Sequence, residues 1–324
     1  MSILYVISDE GKTGNTAVCL SLASILQESG QKVAVSTVRF SGEEDRAKDN
    51  PLLSKFSDGF PENQPLSLSD TESRVRARRQ IELIHREVDT LLIDATNASQ
   101  IDQHAELVKV IEAKVICVTK YHNAIDSIPF AKSFGQDLIG TVINFLTKYK
   151  GTEAHKVVIP SFKKSGINVL GLIPENRTLL SLTVRQICEN LEGKFFGGEE
   201  YGEDLVESFM VGGFGMDPGQ YIFSRQDKKA VVVRGDRPDV QMSALDTDME
   251  CFIMTGGFEP IEYVKYEANE EEVSIIIVNS DTLETMDKIG TLQEHSEFDH
   301  KEKLARFKNL IDSNIDVEAL KSVL

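Results

Sequence analysis

The sequence is poor in cysteine. Its four residues at positions 19, 117, 188 and 251 are spaced too widely for a zinc cluster or a CxxC redox pair. Cys117 and Cys251 lie within apolar runs, so reduced, buried thiols are expected. Positive charge is also scarce: 35 Lys and Arg stand against 52 Asp and Glu, a formal charge of −17. That balance argues against non-specific binding to nucleic acid or to an anionic membrane, and makes any phosphate site a local feature. The opening MSILYVISDEG lacks a basic n-region, and its apolar stretch Ile3 to Ile7 is too short for a signal sequence or a membrane span. The chain is therefore read as cytoplasmic. There is no low-complexity tract and no repeat at a period of about 20 to 50 residues. The six histidines show no HxxxH or HExxH spacing, and no Ser/His/Asp or Cys/His order emerges.

What is present divides by charge. Up to Gly198 there are 23 basic and 24 acidic residues; from Glu199 onward there are 12 and 28, so the halves carry −1 and −16. At about 100 to 200 residues per domain, the length also predicts two domains. The shift coincides with the glycine- and acid-rich stretch from Lys194 to Gly202, giving domains at 1–195 and 196–299 and a helical tail at 300–324. In the first half, short apolar runs suited to buried parallel strands occur at Ile3–Ile7, Lys32–Val38, Thr90–Ile93, Val115–Val118, Leu138–Ile143 and Val169–Ile173. Helical patterns at Thr16–Ser29, Glu72–Glu87 and His104–Glu112 fall between them. This order predicts an α/β fold with an open, doubly wound, mostly parallel sheet. Ala230–Val233, Cys251–Met254 and Val273–Val278 predict a second, smaller α/β domain. Leu304, Phe307, Leu310 and Ile311 give the tail an amphipathic pattern, for docking on the domain or on a partner.

The first strand runs directly into Ser8-Asp-Glu-Gly-Lys-Thr-Gly-Asn-Thr16 and then a helix, the context of a phosphate-binding loop. Laid on GxxxxGK[ST], the loop has Gly14 and Thr16 in place, Asp9 where the first glycine belongs and Asn15 where the lysine belongs. That lysine neutralises charge during phosphoryl transfer; a neutral amide cannot, so any ATPase is expected to be slow. Gly11, Gly14 and the helix N-terminus offer backbone N–H donors, Lys12 is a displaced cation, and Thr16 Oγ1 suits Mg²⁺. Thr90–Asp94 is an apolar strand ending in a carboxylate, the form that holds Mg²⁺ through water. Gly140–Asn144 ends in an amide able to pair with an adenine edge. ATP or another adenine nucleotide with Mg²⁺ is the expected cofactor, with Thr16 and Asp94 as metal residues.

In the second half Arg237, the Thr255-Gly256-Gly257 loop and Asp281 each follow a predicted strand, so all lie at carboxyl ends, where an open α/β sheet forms its binding crevice. Paired glycines with a basic side chain suit an anion. The structural alternative is that Arg237 pairs with Asp236, Asp239 or Asp281 and the glycines only turn the chain.

In order, these marks resemble the dethiobiotin-synthetase-like branch of the P-loop NTPases, and more closely the N-terminal region of long bacterial phosphate acetyltransferases. Gly166–Glu175 and Leu180–Val184 look like further segments of that region, and Gly235-Asp-Arg237, Thr255-Gly-Gly257 and Asp281-Thr282 look like the DRTGG domain that follows it. The resemblance makes Asn144 the adenine-reading amide and sets Arg39 where dethiobiotin synthetases carry a catalytic lysine. The acetyltransferase domain is missing from the 324 residues. The implied function is a nucleotide- or small-anion-binding regulatory protein, acting through a metabolic-enzyme partner or its own oligomer, a dimer being the simplest. The alternatives are an ATP-dependent ligase of the dethiobiotin or cobyrinic-amide synthetase class, and a ligand-free interaction module.

Overall fold

Six short apolar runs, most of them buried, build the sheet of the first unit in the computed structural model, which describes residues 2–38, 50–57, 71–85, 87–95, 100–213, 219–317 and 320. The strands are β1 (Ser2–Ser8), β2 (Val33–Val38), β3 (Thr90–Ala95), β4 (Lys114–Lys120), β5 (Leu138–Leu146) and β6 (Val169–Pro174), in spatial order β2-β3-β1-β4-β5-β6. All pairs are parallel, as the alternating sequence pattern requires. Leu4, Tyr5, Val6 and Ile7 are fully buried because helices cover both faces, which is why β1 reads as a continuous apolar run rather than an alternating one. The chain leaves β1 toward β2 and leaves β4 toward β5, so the connections diverge between β1 and β4 and open a crevice at their carboxyl ends.

The helix after β1, Asn15–Glu28, buries ten of its 14 residues. The C-terminal helix Lys301–Asn314 packs along it through the buried Leu304, Phe307 and Ile311, and Lys308 pairs with Glu28. Just beyond, Ile315 bridges to Gly171 of β6, where a Cβ would stand 2.4 Å from the Asn314 carbonyl oxygen. Only glycine allows that approach. The tail is thus part of the first unit, which comprises Met1–Asn176 and Phe298–Leu324, while the second unit is Arg177–Glu297. This differs from the division at 195 with a separate tail. A break at 195 would cut a strand of the second sheet, and the tail's apolar stripe is covered by the helix behind the loop.

The second unit contains β7 (Leu182–Thr183), β8 (Lys194–Gly197), β9 (Leu205–Val206), β10 (Ser208–Val211), β11 (Lys229–Arg234), β12 (Cys251–Thr255) and β13 (Ser274–Ile277). β7 and β9 form a short antiparallel pair, and the rest form a sheet in the order β10-β11-β12-β13-β8. β8 is antiparallel to β13; the others are parallel. Along β11 and β12 the side chains alternate between two cores: Ala230, Val232, Cys251 and Ile253 in one, Val231, Val233, Phe252 and Met254 in the other. This is the period-two geometry of a sheet covered on both faces. All four cysteines are free and buried, and burial pushes the thiols of Cys117 and Cys251 well up.

Candidate functional site

The loop between β1 and its helix is held by its own side chains and by the ends of β3 and β5. Gly14 caps the helix in a left-handed conformation, φ +89, and a Cβ there would meet Asn144 Nδ2 at 2.5 Å, so the position admits only glycine. Gly11 and Lys12 are exposed at the tip, with Lys12 also left-handed at φ 56. Thr13 and Asn15 are buried.

At the end of β3, Asp94 is 4% exposed. Its Oδ2 accepts from Thr16 Oγ1 at 2.6 Å and its Oδ1 from Asn15 Nδ2 at 2.6 Å. Asn15 Nδ2 also donates to the Ala95 carbonyl at 3.3 Å. Burial drives the carboxyl up to about 6, against the lowering effect of the bonds from Thr16 and Asn15. The two residues expected to hold Mg²⁺ therefore stand together. The amide in the lysine position turns onto the carboxylate and brings no charge to offset its burial.

Asn144, the residue expected to pair with an adenine edge, also holds the loop. Its Nδ2 donates to the Thr13 carbonyl at 2.8 Å and its Oδ1 accepts from the Phe145 N–H at 2.9 Å, so both halves of the amide are engaged by backbone. The cause is the sharp turn at the end of β5, where Phe145 has φ 57 and folds the chain over the loop. Arg39 lies outside the described residues.

Sequence reasoning missed the other wall of the loop. Thr119 donates to Asp9 Oδ2 at 3.3 Å and Asn123 to Glu10 Oε1 at 3.3 Å, while Lys120 lies 3.8 Å from Glu10. Thr119 and Lys120 end β4, the strand across the crevice, and Asn123 lies in the turn that follows it. Asp9 and Glu10 are therefore turned toward β4, and burial raises the Asp9 carboxyl. Only the β1–β4 register, Ser8 opposite Val118, brings residues so distant in sequence together. Among the described residues no group of three or more His, Cys, Asp or Glu side chains is placed to hold a metal. The Thr16–Asp94 pair instead has the few-ligand form of sites that keep Mg²⁺ largely hydrated.

In the second unit Arg237, the Thr255 loop and Asp281 all follow the carboxyl ends of strands, but the Arg237 guanidinium is engaged by Asp239 rather than Asp281. Its Nε and Nη2 form a paired contact with Asp239 at 2.9 and 2.8 Å, and Arg234 pairs likewise with Asp236 at 2.9 and 2.6 Å. The two-residue spacing within one loop makes these local pairs geometrically easy. Asp281 caps the following helix by accepting from the Glu284 N–H at 2.9 Å. Thr255 shares a 2.9 Å hydrogen bond with Thr282. Gly256 and Gly257 are left-handed at φ 82 and 70, and their N–H groups donate to the Ser280 and Val278 carbonyls, each at 2.9 Å. Those amides are spent on joining two loops, so the glycine pair is not an anion nest.

Comparison with known proteins identifies a domain in the second unit. Residues 186–292 match the DRTGG domain family; the chain thus contains a DRTGG domain within its second unit. Among solved structures, the MinC:MinD cell division protein complex of Aquifex aeolicus is similar at 15% identity and a TM-score of 0.40, over 56% of this chain and 84% of that one. MinD complexed with Mg-ADP from Pyrococcus horikoshii OT3 is similar at 18% and 0.36, over 55% and 83%. The CBS and DRTGG domains of the regulatory region of Clostridium perfringens pyrophosphatase, complexed with the activator diadenosine tetraphosphate, are similar at 12% and 0.32, over 43% and 71%. The fold assignment itself rests on the strand order and the strand–loop–helix junction.

Proposed function

We propose that this chain is a regulatory protein that binds an adenine nucleotide or a related phosphate ligand at the loop of its first unit and hydrolyses it slowly if at all. The observation that carries this reading is the Thr16–Asp94 pair, a hydroxyl and a buried carboxylate 2.6 Å apart at the junction of loop, helix and β3. Both are oxygen donors of the type Mg²⁺ takes. They would hold the ion, and the ion would supply the charge that screens the phosphates; Gly11, Gly14 and the helix N-terminus would supply N–H donors. Asn15 fits binding and not turnover, since it cannot place a cation on a transferring phosphoryl group. The DRTGG domain is consistent with a regulatory role, and a relationship to the N-terminal region of long phosphate acetyltransferases accords with the order of motifs along both units.

One observation favours a second reading, the ligand-free interaction module: Asn144 already donates one N–H to the Thr13 carbonyl and accepts from the Phe145 N–H, which leaves half of its hydrogen-bonding capacity for a base. Titration calorimetry of the full chain with ATP, ADP, GTP and acetyl-CoA, with and without Mg²⁺, decides between them. Mg²⁺-dependent ATP or ADP binding that weakens in Thr16→Ala supports the first reading. No heat with any of these, or binding indifferent to Thr16→Ala, leaves the second.

A further inference from the structure

The helix Glu262–Glu270 of the second unit is held to its core by only two side chains, Val264 and Ala268, a narrower stripe than the three or four apolar positions per two turns of an ordinary packed helix. The helix and the loop leading into it nevertheless expose apolar groups. Phe258, Ile261, Tyr263 and Tyr266 are each between 48% and 58–59% exposed, within nine residues of sequence. Tyr263 and Tyr266, three residues apart, are neighbours on the helix surface, and exposed apolar groups beside a cleft mark interaction sites.

The helix also borders a cleft of about 280 Å³. Glu262, Lys265, Tyr266 and Asn269, spaced i, i+3, i+4 and i+7, form one wall; the backbone at Gly197 and Gly198 faces them, and Val273 and Ile275 contribute apolar lining. The volume falls short of the roughly 300 to 1,000 Å³ of small-molecule pockets and suits one inserted side chain.

Charge selects the occupant. From Arg177 to Glu297 there are ten Lys and Arg against 25 Asp and Glu, a net −15. Along the helix and its flanks, residues 259–272, the acids are Glu259, Glu262, Glu267, Glu270, Glu271 and Glu272, with Lys265 the basic residue among them; Glu262 and Lys265 line the cleft itself. A second copy docked on this face would set these carboxylates against their own kind, and nucleic acid or an anionic bilayer would be repelled. A cationic segment with apolar side chains is complementary on both counts. Its ammonium or guanidinium groups would meet the glutamates and the tyrosine faces, an arrangement already present within the protein, where Lys265 Nζ lies 4.9 Å from the Phe196 ring centroid.

We propose that the Glu262–Glu270 helix and its cleft form a docking surface for a Lys/Arg-rich amphipathic segment of a partner protein, with one of its side chains anchored beside Tyr266. This surface is separate from the nucleotide loop and independent of whether that loop is occupied.

The test is fluorescence anisotropy of the full-length protein with a labelled Lys/Leu amphipathic helical peptide. Binding in the micromolar range is expected, weakening as salt is raised from about 0.05 to about 0.3 M. Tyr266→Ser and the cleft-filling Asn269→Trp should each weaken it about tenfold, whereas Tyr221→Ser, at another exposed tyrosine, should leave it unchanged. Circular dichroism melting of each variant reports folding. Equal peptide affinity in wild type, Tyr266→Ser and Asn269→Trp would overturn the proposal, because attraction would then be only to net charge. So would equal affinity for a Glu/Leu peptide, or light scattering that shows a dimer dissolved by Tyr266→Ser, which would assign the face to a second copy.

Discussion

Asn15 Nδ2 stands 2.6 Å from Asp94 Oδ1, so the position that carries a lysine in active phosphate loops here ties the loop to β3 through a neutral donor. The carboxylate gains an acceptor's satisfaction and no compensating charge. Much of the expected behaviour of the first unit follows from that substitution.

Asn15→Lys should supply the missing cation. An ammonium beside Asp94 would favour its ionised form and offer charge to a nucleotide, so ATP affinity should rise about tenfold, equivalent to about 1.4 kcal/mol, with a measurable increase in phosphate release. Calorimetry and a phosphate assay check both. An unchanged affinity would place the nucleotide elsewhere.

Asp94 predicts a pH dependence of stability. Its carboxyl is raised from 3.8 to about 6, so below pH about 4 it is protonated in folded and unfolded chains alike and costs nothing. As pH rises from about 4 to about 6 the unfolded chain ionises first and stability is lost, by about 3 kcal/mol for a shift of about two pKa units; above that the penalty is constant. Asp94→Asn removes it, at the cost of one hydrogen bond of about 1 kcal/mol. The variant should therefore be the more stable at pH 7 and lose that advantage at pH 4. Denaturant melts at the two pH values measure the difference, and an equal offset at both would contradict the assignment.

Asn144→Ala leaves the buried Thr13 carbonyl without its 2.8 Å donor. A loss of about 1 to 3 kcal/mol is expected. If the amide normally restrains the loop, nucleotide affinity should hold or improve despite lower stability; an accompanying loss of affinity would restore Asn144 as a base-reading residue.

Arg237→Ala should lower the melting temperature less than loss of a buried ion pair would, since its paired contact joins a half-buried guanidinium to an exposed Asp239 carboxylate and such pairs add little. A sharp drop would mean that the arginine anchors more than its own loop.

Phe307 is 1% exposed in the C-terminal helix, with its ring centroid 5.9 Å from that of Phe298. Phe307→Ala should cost about 3 to 5 kcal/mol and destabilise the first unit, whose loop helix it covers. Hydrogen exchange should show Asn15–Glu28 losing protection; a loss confined to the second unit would contradict the packing.

The strands were legible in sequence because a parallel strand buried on both faces is largely apolar, as β1, β3 and β4 are, and even the half-buried edge strands β2 and β6 carry short apolar runs that need no help from distant residues. The loop was legible too: Gly14, Thr16 and the strand-to-helix junction are local features, as is the missing lysine at Asn15. What each polar side chain touches was decided only by tertiary structure. Hydrogen bonds at about 3 Å depend on which strands are neighbours, and strand order is a long-range property. Pairing β1 with β3 and β4 brings Asp94 to Asn15 and Thr16 and turns Asp9 and Glu10 toward Thr119, Lys120 and Asn123. The bend after β5 commits Asn144 to Thr13, while proximity along one loop gave Arg237 to Asp239 before Asp281 could compete. The tail's apolar stripe likewise announced a helix that needed covering, but not the surface it covers. That depended on the fold bringing β6 and the loop helix to one side, where Gly171 leaves room for the returning chain.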